Sequence, residues 1–353
     1  MIKQNKHIEI VSSSIVELSS MSKISRDAIH AVLSKHYSNV GITLVDDLAD
    51  LEALVALQPD LVVLGMKSLA LSGDWQSPDK IWLSDYLEDH GIVHTGSDSR
   101  AHMLERNKHL SKQRMIDKGI MTSPFFVSRR HQPTWFSTEL TFPLFVKPSD
   151  RGGGLGIDSN SIVHDLDQMN SKIQSISADH NSDSLIEEYL AGREFSVAIL
   201  KDEYSGKYSV MPIELVAPAD PLGFSMLSDD VKTSDTEQVF EVTDEFIRSK
   251  VCLLAMAAFL ALGARDYGRI DIRLDSTGAA HFLEANLLPS LISSYGSFPK
   301  ACDLNLGLNH ESMLIRIVNL GLAHKTNNLV EIDEPLGLVG SIIPSVKVAF
   351  EAA

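Results

Sequence analysis

Over its first hundred residues the chain alternates short apolar runs with amphipathic stretches, which limits it to a few topologies. Residues 8–11, 41–45 and 61–65 read as strands, and residues 25–36, 50–57 and 79–90 as the helices that follow them. Strands separated by helices pair in parallel, with the helices on the sheet faces. Ligands of such sheets sit beyond the carboxyl ends of the strands, here the loops 12–20 and 66–77. At 353 residues the chain exceeds one typical core, so further domains are expected.

A second pattern carries chemistry. Ile270, Ile272 and Leu274 alternate with Arg269, Asp271 and Arg273. Leu283, Ala285 and Leu287 alternate in the same way with Phe282, Glu284 and Asn286. Both stretches have the period of a strand. With a four-residue turn at 276–279 they form a hairpin in which Asp271 faces Glu284 and Arg269 faces Asn286. Two acids facing each other across a ladder repel. A hard cation removes that cost, and Mg²⁺ binds through one or two carboxylates together with substrate phosphates. The same residues also suit a solvated sheet face neutralised by Arg269 and Arg273, and the hairpin alone leaves both readings open.

Other stretches carry weaker signals. Residues 98–119 read as a helix with Lys108 and Lys112 one turn apart, an ordinary spacing for a solvated face. Residues 143–148 read as a strand ending at Lys147 and Pro148, which opens into Gly152, Gly153, Gly154 and Gly156. Such a loop exposes backbone N–H groups and can fold over phosphate oxygens, although a surface turn has the same composition. No Gly-Lys-Ser/Thr closes it and it opens no helix, which excludes a Walker A loop and a dinucleotide fingerprint. Residues 183–190 run into a strand reaching 200; Glu187, Glu188, Leu190 and Glu194 there offer an edge to an adenine and a carboxylate to a ribose, although acidic residues beside Gly192 equally suit a solvent-facing surface. Arg269, beside the acidic pair, suits negative charge on a phosphoryl group or an oxyanion. Residues 244–262 read as a helix, 291–306 as loop, 311–322 as a closing helix, and 342–348 as an alternating stretch broken by Pro344.

The net charge of −16 argues against a nucleic-acid or anionic-membrane surface. Cys252 and Cys302 lack metal spacing and suit a reducing compartment. Residues 1–7 are polar, so no secretory leader is expected, and no apolar run is long enough to span a bilayer. A cytoplasmic protein is expected.

Taken in order, these pieces resemble the ATP-grasp superfamily and, within it, the D-alanine–D-alanine ligase family. The resemblance covers roughly residues 5–323 and rests on Thr95-Gly96-Ser97, Lys108, Phe145 to Pro148, the glycines to Gly156, Leu185 to Glu194, Ile213-Glu214, Gly268 to Asp271, Leu283 to Asn286 with Pro289, and Ser297-Phe298-Pro299. It implies a mixed α/β (α+β) chain, an ATP-grasp fold preceded by a Rossmann-like parallel α/β domain. The implied divisions are 1–98, a central subdomain 99–183 with the flap loop, a C-terminal subdomain 184–330 with the metal site, and a tail 331–353. It also implies an ATP-dependent carboxylate–amine ligase acting through an acyl phosphate on small amino-acid-like substrates, and a homodimer.

Residue by residue, the resemblance gives Lys108 and Lys147 the ATP phosphates, and Gly153 and Gly154 the flap over them. Glu187 would meet the adenine amino group, the main chain near Glu188 and Leu190 the ring, and Glu194 the ribose. Asp271, Glu284 and Asn286 would hold two Mg²⁺ ions, with Mn²⁺ as a substitute; Arg269 would stabilise the acyl phosphate and the tetrahedral intermediate. The departures cluster on the amino-acid side. Ser12 to Glu17 replaces a glycine-rich opening, with Glu17 where the family holds the first substrate's amine. Met66-Lys67 and Gly73-Asp74 stand roughly where the family has His-Gly and Gly-Glu-Asp-Gly. Residues 221–229 replace its Tyr-x-x-Lys-Tyr loop, and Ser290, whose N–H can serve an oxyanion, replaces a glycine. Three readings stand open: a D-alanine–D-alanine ligase, a ligase for another amino-acid pair, or an ATP-binding homologue without catalysis.

Overall fold

The computed structural model describes residues 3–327 except 17, 72–78, 131, 133–139, 221–222, 228–230, 232–235 and 294. Glu17, Gly73-Asp74 and the stretch 342–348 lie outside the described residues.

The chain begins with a parallel sheet. Strands β1 (Gln4–Ser12), β2 (Tyr37–Leu44) and β3 (Leu61–Leu64) take the order β2-β1-β3, with α1 (Lys23–His36) and α2 (Leu48–Ala56) as crossovers. All four β3 residues are buried, as expected for a parallel strand covered on both faces. Ser22 caps α1, and Asp47 and Asp50 form a reciprocal capping box on α2. The helix expected over 79–90 starts late. Its first part is β5 (Lys80–Trp82), which pairs with β4 (Ser68–Ala70), and α3 (Leu83–Asp89) comes next. The helix expected over 98–119 is two helices, α4 (Ser99–Arg106) and α5 (Lys108–Asp117), broken at Asn107, whose ψ of 90° leaves the helical region.

Two antiparallel sheets hold the other strands among the described residues. Strands β6 (Phe125–Ser128), β7 (Leu144–Pro148), β8 (Ile162–Val163) and β9 (Ser184–Glu188) take the order β6-β9-β7-β8, and α6 (Leu166–His180) packs Met169 and Ile176 into their core. Strands β10 (Glu194–Lys201), β11 (Tyr208–Val216), β12 (Gln238–Glu241), β13 (Tyr267–Leu274) and β14 (Ala280–Asn286) take the order β12-β11-β10-β13-β14. Helix α7 (Glu245–Ala261), capped by Asp244, covers that sheet with Val251, Ala255, Ala258 and Phe259. The strand expected to reach residue 200 is β10, and the stretch 183–190 that runs into it holds a separate strand, β9, in the other sheet. β9 pairs with β6 and β7, segments of the expected unit 99–183, and not with β10. The crossing is tight: Gly192 N–H donates to Leu274 O at 2.9 Å, and a Cβ at 192 would lie 2.5 Å from that oxygen.

The stretch 291–306, expected as loop, contains α8 (Ser297–Leu306). Pro299 lies in its first turn, where a missing N–H costs no helical bond. The last helix, α9 (His310–Asn327), returns to the N-terminal sheet and packs Met313, Leu314, Ile317 and Val318 into one core with Ile8, Ile10 and Leu33.

The β13–β14 hairpin has the expected pairs at its site end, Arg269 with Asn286 and Asp271 with Glu284. Its turn is one residue longer than expected, because Leu274 pairs with Ala280. A β-bulge between Asp271 and Ile272 on the paired register absorbs the extra residue, so Ile272 faces Phe282 and Leu283 is supernumerary. Strict alternation puts Leu283 on the apolar face. The bulge turns it to the polar side, where it lines a cleft beside Glu284, while Phe282 enters the core.

Candidate active site

Two clefts meet at the end of this hairpin. The first, about 300 Å³, lies between the two antiparallel sheets and has apolar walls from Phe145, Ile157, Leu190, Leu215 and Leu283. Lys147, Glu187, Glu188, Glu194, Arg269 and Asp271 line its polar side. The second, about 540 Å³, runs toward the loops beyond β1 and β3 and is lined by Lys67, Glu105, Arg106, Lys108 and Arg151 among others. Gly153, Glu284, Asn286 and Ser290 line both.

Glu187, at the end of β9, organises the inner wall of the first cleft. Its carboxylate accepts from Lys147 Nζ at 2.6 Å, Lys112 Nζ at 2.7 Å and Ser123 Oγ at 3.0 Å. Burial alone would raise its pKa; Lys112 and then Lys147 overcome that and hold it at about 2. Three of the roughly four lone-pair sites of a carboxylate are used, which leaves one acceptor position. Lys112 is fully buried and also donates to Thr122 Oγ at 2.7 Å, so the lysine pair is not a solvated face. One carboxylate serves two ammoniums, and the burial cost shows in Lys112, whose pKa is lowered. Lys147 goes the other way: burial pulls it down, but Glu187 and Glu284 together raise it.

The hairpin supplies the opposite wall. Asp271 accepts from Ser196 Oγ at 2.8 Å, its register partner on β10, and from Arg269 at 3.0 Å. Burial works against the Arg269 charge, and Asp271 more than offsets it. Arg273 does not neutralise the acidic pair; it bonds Glu194 at 3.0 Å and Tyr189 Oη at 2.8 Å. Lys108 lines the second cleft, 3.5 Å from Glu284, and also donates to Arg151 O at the base of the glycine loop. Burial lowers the Lys108 pKa, with Glu284 opposing. In that loop Gly153 and Gly154 have φ of 71° and 94°, values that need glycine. Gly153 lines both clefts, whereas Gly154 is not in the lining of either. Glu188 N–H is spent on Pro124 O at 3.1 Å, so its carbonyl is the main-chain group it can offer a base.

Among the described residues, the expected ones therefore gather around two connected clefts, apart from Gly154. Sequence reasoning missed Glu105, its ion pair with Lys67 and the internal role of Lys112. Glu105 is buried and holds Leu287 N–H at 2.8 Å, a contact across 182 positions that leaves no local pattern.

A family profile described as D-ala D-ala ligase C-terminus matches residues 117–319. An uncharacterized protein of Sinorhizobium fredii is 32% identical over 243 residues, 68% of this chain and 68% of its own. The D-alanine–D-alanine ligase of Pelobacter propionicus is 30% identical over 237 residues, 66% of this chain and 71% of its own. The crystal structure of D-alanine–D-alanine ligase from Bacillus anthracis complexed with ATP has a TM-score of 0.70 at 22% identity, covering 92% of this chain and 99% of that one. The ligase from Coxiella burnetii gives 0.64 at 15%, covering 92% and 96%. These structures show likeness of fold.

Proposed function

The chain belongs to the D-alanine–D-alanine ligase family, and on that premise we propose that it joins the carboxylate of one amino-acid-like substrate to the amine of another at the expense of ATP. The observation that carries this reading is the junction of the two clefts at Gly153, Glu284, Asn286 and Ser290. A nucleotide in the first cleft then has its terminal phosphate at the mouth of the second. The apolar walls suit an adenine, the remaining acceptor position on Glu187 suits its amino group, and the Glu188 carbonyl and Leu190 main chain suit the ring edge. Glu194 takes the ribose, and Lys147, Lys108 and the loop at Gly153 and Gly154 take the phosphates.

Asp271, Glu284 and Asn286 fit Mg²⁺, or Mn²⁺ in its place. They offer hard oxygen donors, and Asp271 faces Glu284 directly across the ladder. Among the described residues no three His, Cys, Asp or Glu converge to hold a metal, which suits an ion completed by substrate phosphates. Two such ions would neutralise charge on the phosphates.

In the first step a substrate carboxylate oxygen attacks the γ-phosphorus and ADP leaves, giving an acyl phosphate. In the second an amine attacks that carbonyl carbon, inorganic phosphate leaves, and the amine gives up a proton. Positioning and charge neutralisation carry most of such catalysis. Arg269 stabilises the acyl phosphate, and Ser290 N–H suits the oxyanion. ATP consumption and two free thiols accord with a cytoplasmic setting.

The test is ADP release from Mg²⁺-ATP against a panel of amino acids that includes D-alanine, with product mass read in parallel. Amino-acid-dependent release that falls about 10²–10³-fold in Arg269→Ala is expected. ATP binding without release for any pair would leave a non-catalytic homologue.

A further inference from the structure

The wall of the second cleft that lies beyond the carboxyl end of β3 carries an ammonium that ATP does not need. Lys67 Nζ donates to Glu105 at 2.7 Å. Glu105 is buried and also accepts from His102 Nδ1 at 3.0 Å and from the Leu287 backbone N–H at 2.8 Å. Burial opposes its ionisation, yet Lys67 and then His102 hold its pKa at about 2. Glu105 is thus a fixed anion at neutral pH and not a base. Leu287 is the residue directly after Asn286, so this anchor ties Lys67 to the end of the strand that carries Glu284 and Asn286.

An ammonium has three N–H donors. Among the described residues Glu105 is the one hydrogen-bond partner of Lys67 Nζ, which leaves two donors at the cleft wall. The side chain is 20% exposed, enough to reach a ligand and too little for full hydration. The surrounding charge has the same sign. Among the described residues four cations line this cleft (Lys67, Arg106, Lys108 and Arg151) against three carboxylates, in a chain whose net charge is −16. Each carboxylate is already engaged: Glu105 by Lys67, Asp150 by Arg151 at 2.7 Å, and Glu284 by Lys108 at 3.5 Å. Arg106 faces the Arg151 charge, with Asp150 shared between them. A cleft whose described lining carries more positive than negative groups, with a pre-positioned ammonium at the end of a parallel sheet, suits an anion.

We propose that Lys67, held by Glu105, is a specificity-determining residue that receives a side-chain carboxylate, so that one substrate is an acidic amino acid. This rests on the ligase reading and narrows its substrate class. The pairs that decide it are aspartate against asparagine and glutamate against glutamine, in both enantiomers, because each pair differs in charge and hardly in shape.

ADP release is measured with each acid and its amide as one member of the substrate pair, in the wild type and in Lys67→Gln and Lys67→Arg. The glutamine amide still donates to Glu105, so the anchor keeps a partner. At least one acid should exceed its amide about tenfold or more in kcat/KM. Lys67→Gln should cut that ratio about tenfold to hundredfold, the range of one charge-assisted hydrogen bond, mainly through KM, and Lys67→Arg should keep most of it. Amides as good as acids, or a ratio unchanged in Lys67→Gln, would overturn the proposal. The same acids and amides are compared by thermal shift in the presence of ATP, which reads binding without turnover. Absence of ADP release with every pair counts against the ligase reading alone. Acid-selective stabilisation that Lys67→Gln abolishes still supports the site, and equal shifts for acid and amide overturn it.

Discussion

Removing the acid and removing one of the bases from the Glu187 node should have unequal costs, and the arrangement sets the order. Glu187 lies 2.6 Å from Lys147 and 2.7 Å from Lys112, and all three side chains are at most 5% exposed. Glu187→Gln keeps the shape but leaves two buried ammoniums facing each other without an anion. Breaking a buried ion pair from one side costs about 3–5 kcal/mol, and this substitution strips the counter-charge from two cations at once. It should therefore fall at the top of that range or above it. Lys112→Met leaves Glu187 with Lys147, a neutral pair, and loses the hydrogen bonds to Glu187, Thr122 and Ser123. That change should cost less than Glu187→Gln, because it leaves no buried charge uncompensated and relief of the Lys112–Lys147 repulsion offsets part of the lost hydrogen bonds. Melting monitored by circular dichroism at neutral pH reads the difference, at about 2–4 °C per kcal/mol for a unit of 150–250 residues. Glu187→Gln should melt well below Lys112→Met. If Lys112→Met melts at the same temperature or lower, a carboxylate shared between two ammoniums is not what holds this wall.

The same geometry sets further outcomes. Glu105 and Glu187 are both held at about 2, below their ordinary 4.5, so the folded state favours their ionised forms. The stability they contribute is complete above about pH 4.5 and is lost as pH falls toward 2; urea midpoints should drop through that window, and less steeply in Glu187→Gln. Gly192→Ala would put a methyl 2.5 Å from the Leu274 carbonyl oxygen, where backbone cannot yield cheaply. It should lower the melting temperature and weaken ATP binding together, as read by calorimetry, since the displaced crossing leads directly into Glu194.

How much of the fold and the site is legible in the sequence depends on range. Asp271 and Glu284 lie within one hairpin, where alternation and a four-residue turn put them face to face; the turn is one residue longer, and the bulge at Leu283 restores the pairing. Leu283 escapes that logic because a bulge is a local defect in the period. Helical spacing assigns Lys112 to a solvated face because it gives the face but not what covers it; the cover comes from Glu187, 75 positions away. The stretch 183–190 runs straight into the strand that follows it, and the close approach of Gly192 to Leu274 shows where one sheet ends and the other begins. The helix at Ser297–Leu306 is hidden by a proline that a first turn tolerates.

The bulge at Leu283 also separates two evolutionary pressures. Beyond it the strands run one residue out of phase with the site end, so the turn at 275–279 is free to change length without moving the acids. A deletion of one turn residue can be absorbed by loss of the bulge, with Asp271 still opposite Glu284. The cost falls on Leu283, which would rejoin the core side and withdraw from the first cleft. Variation in the turn would thus be felt in the apolar wall of the first cleft, while Asp271 and Glu284 keep their geometry.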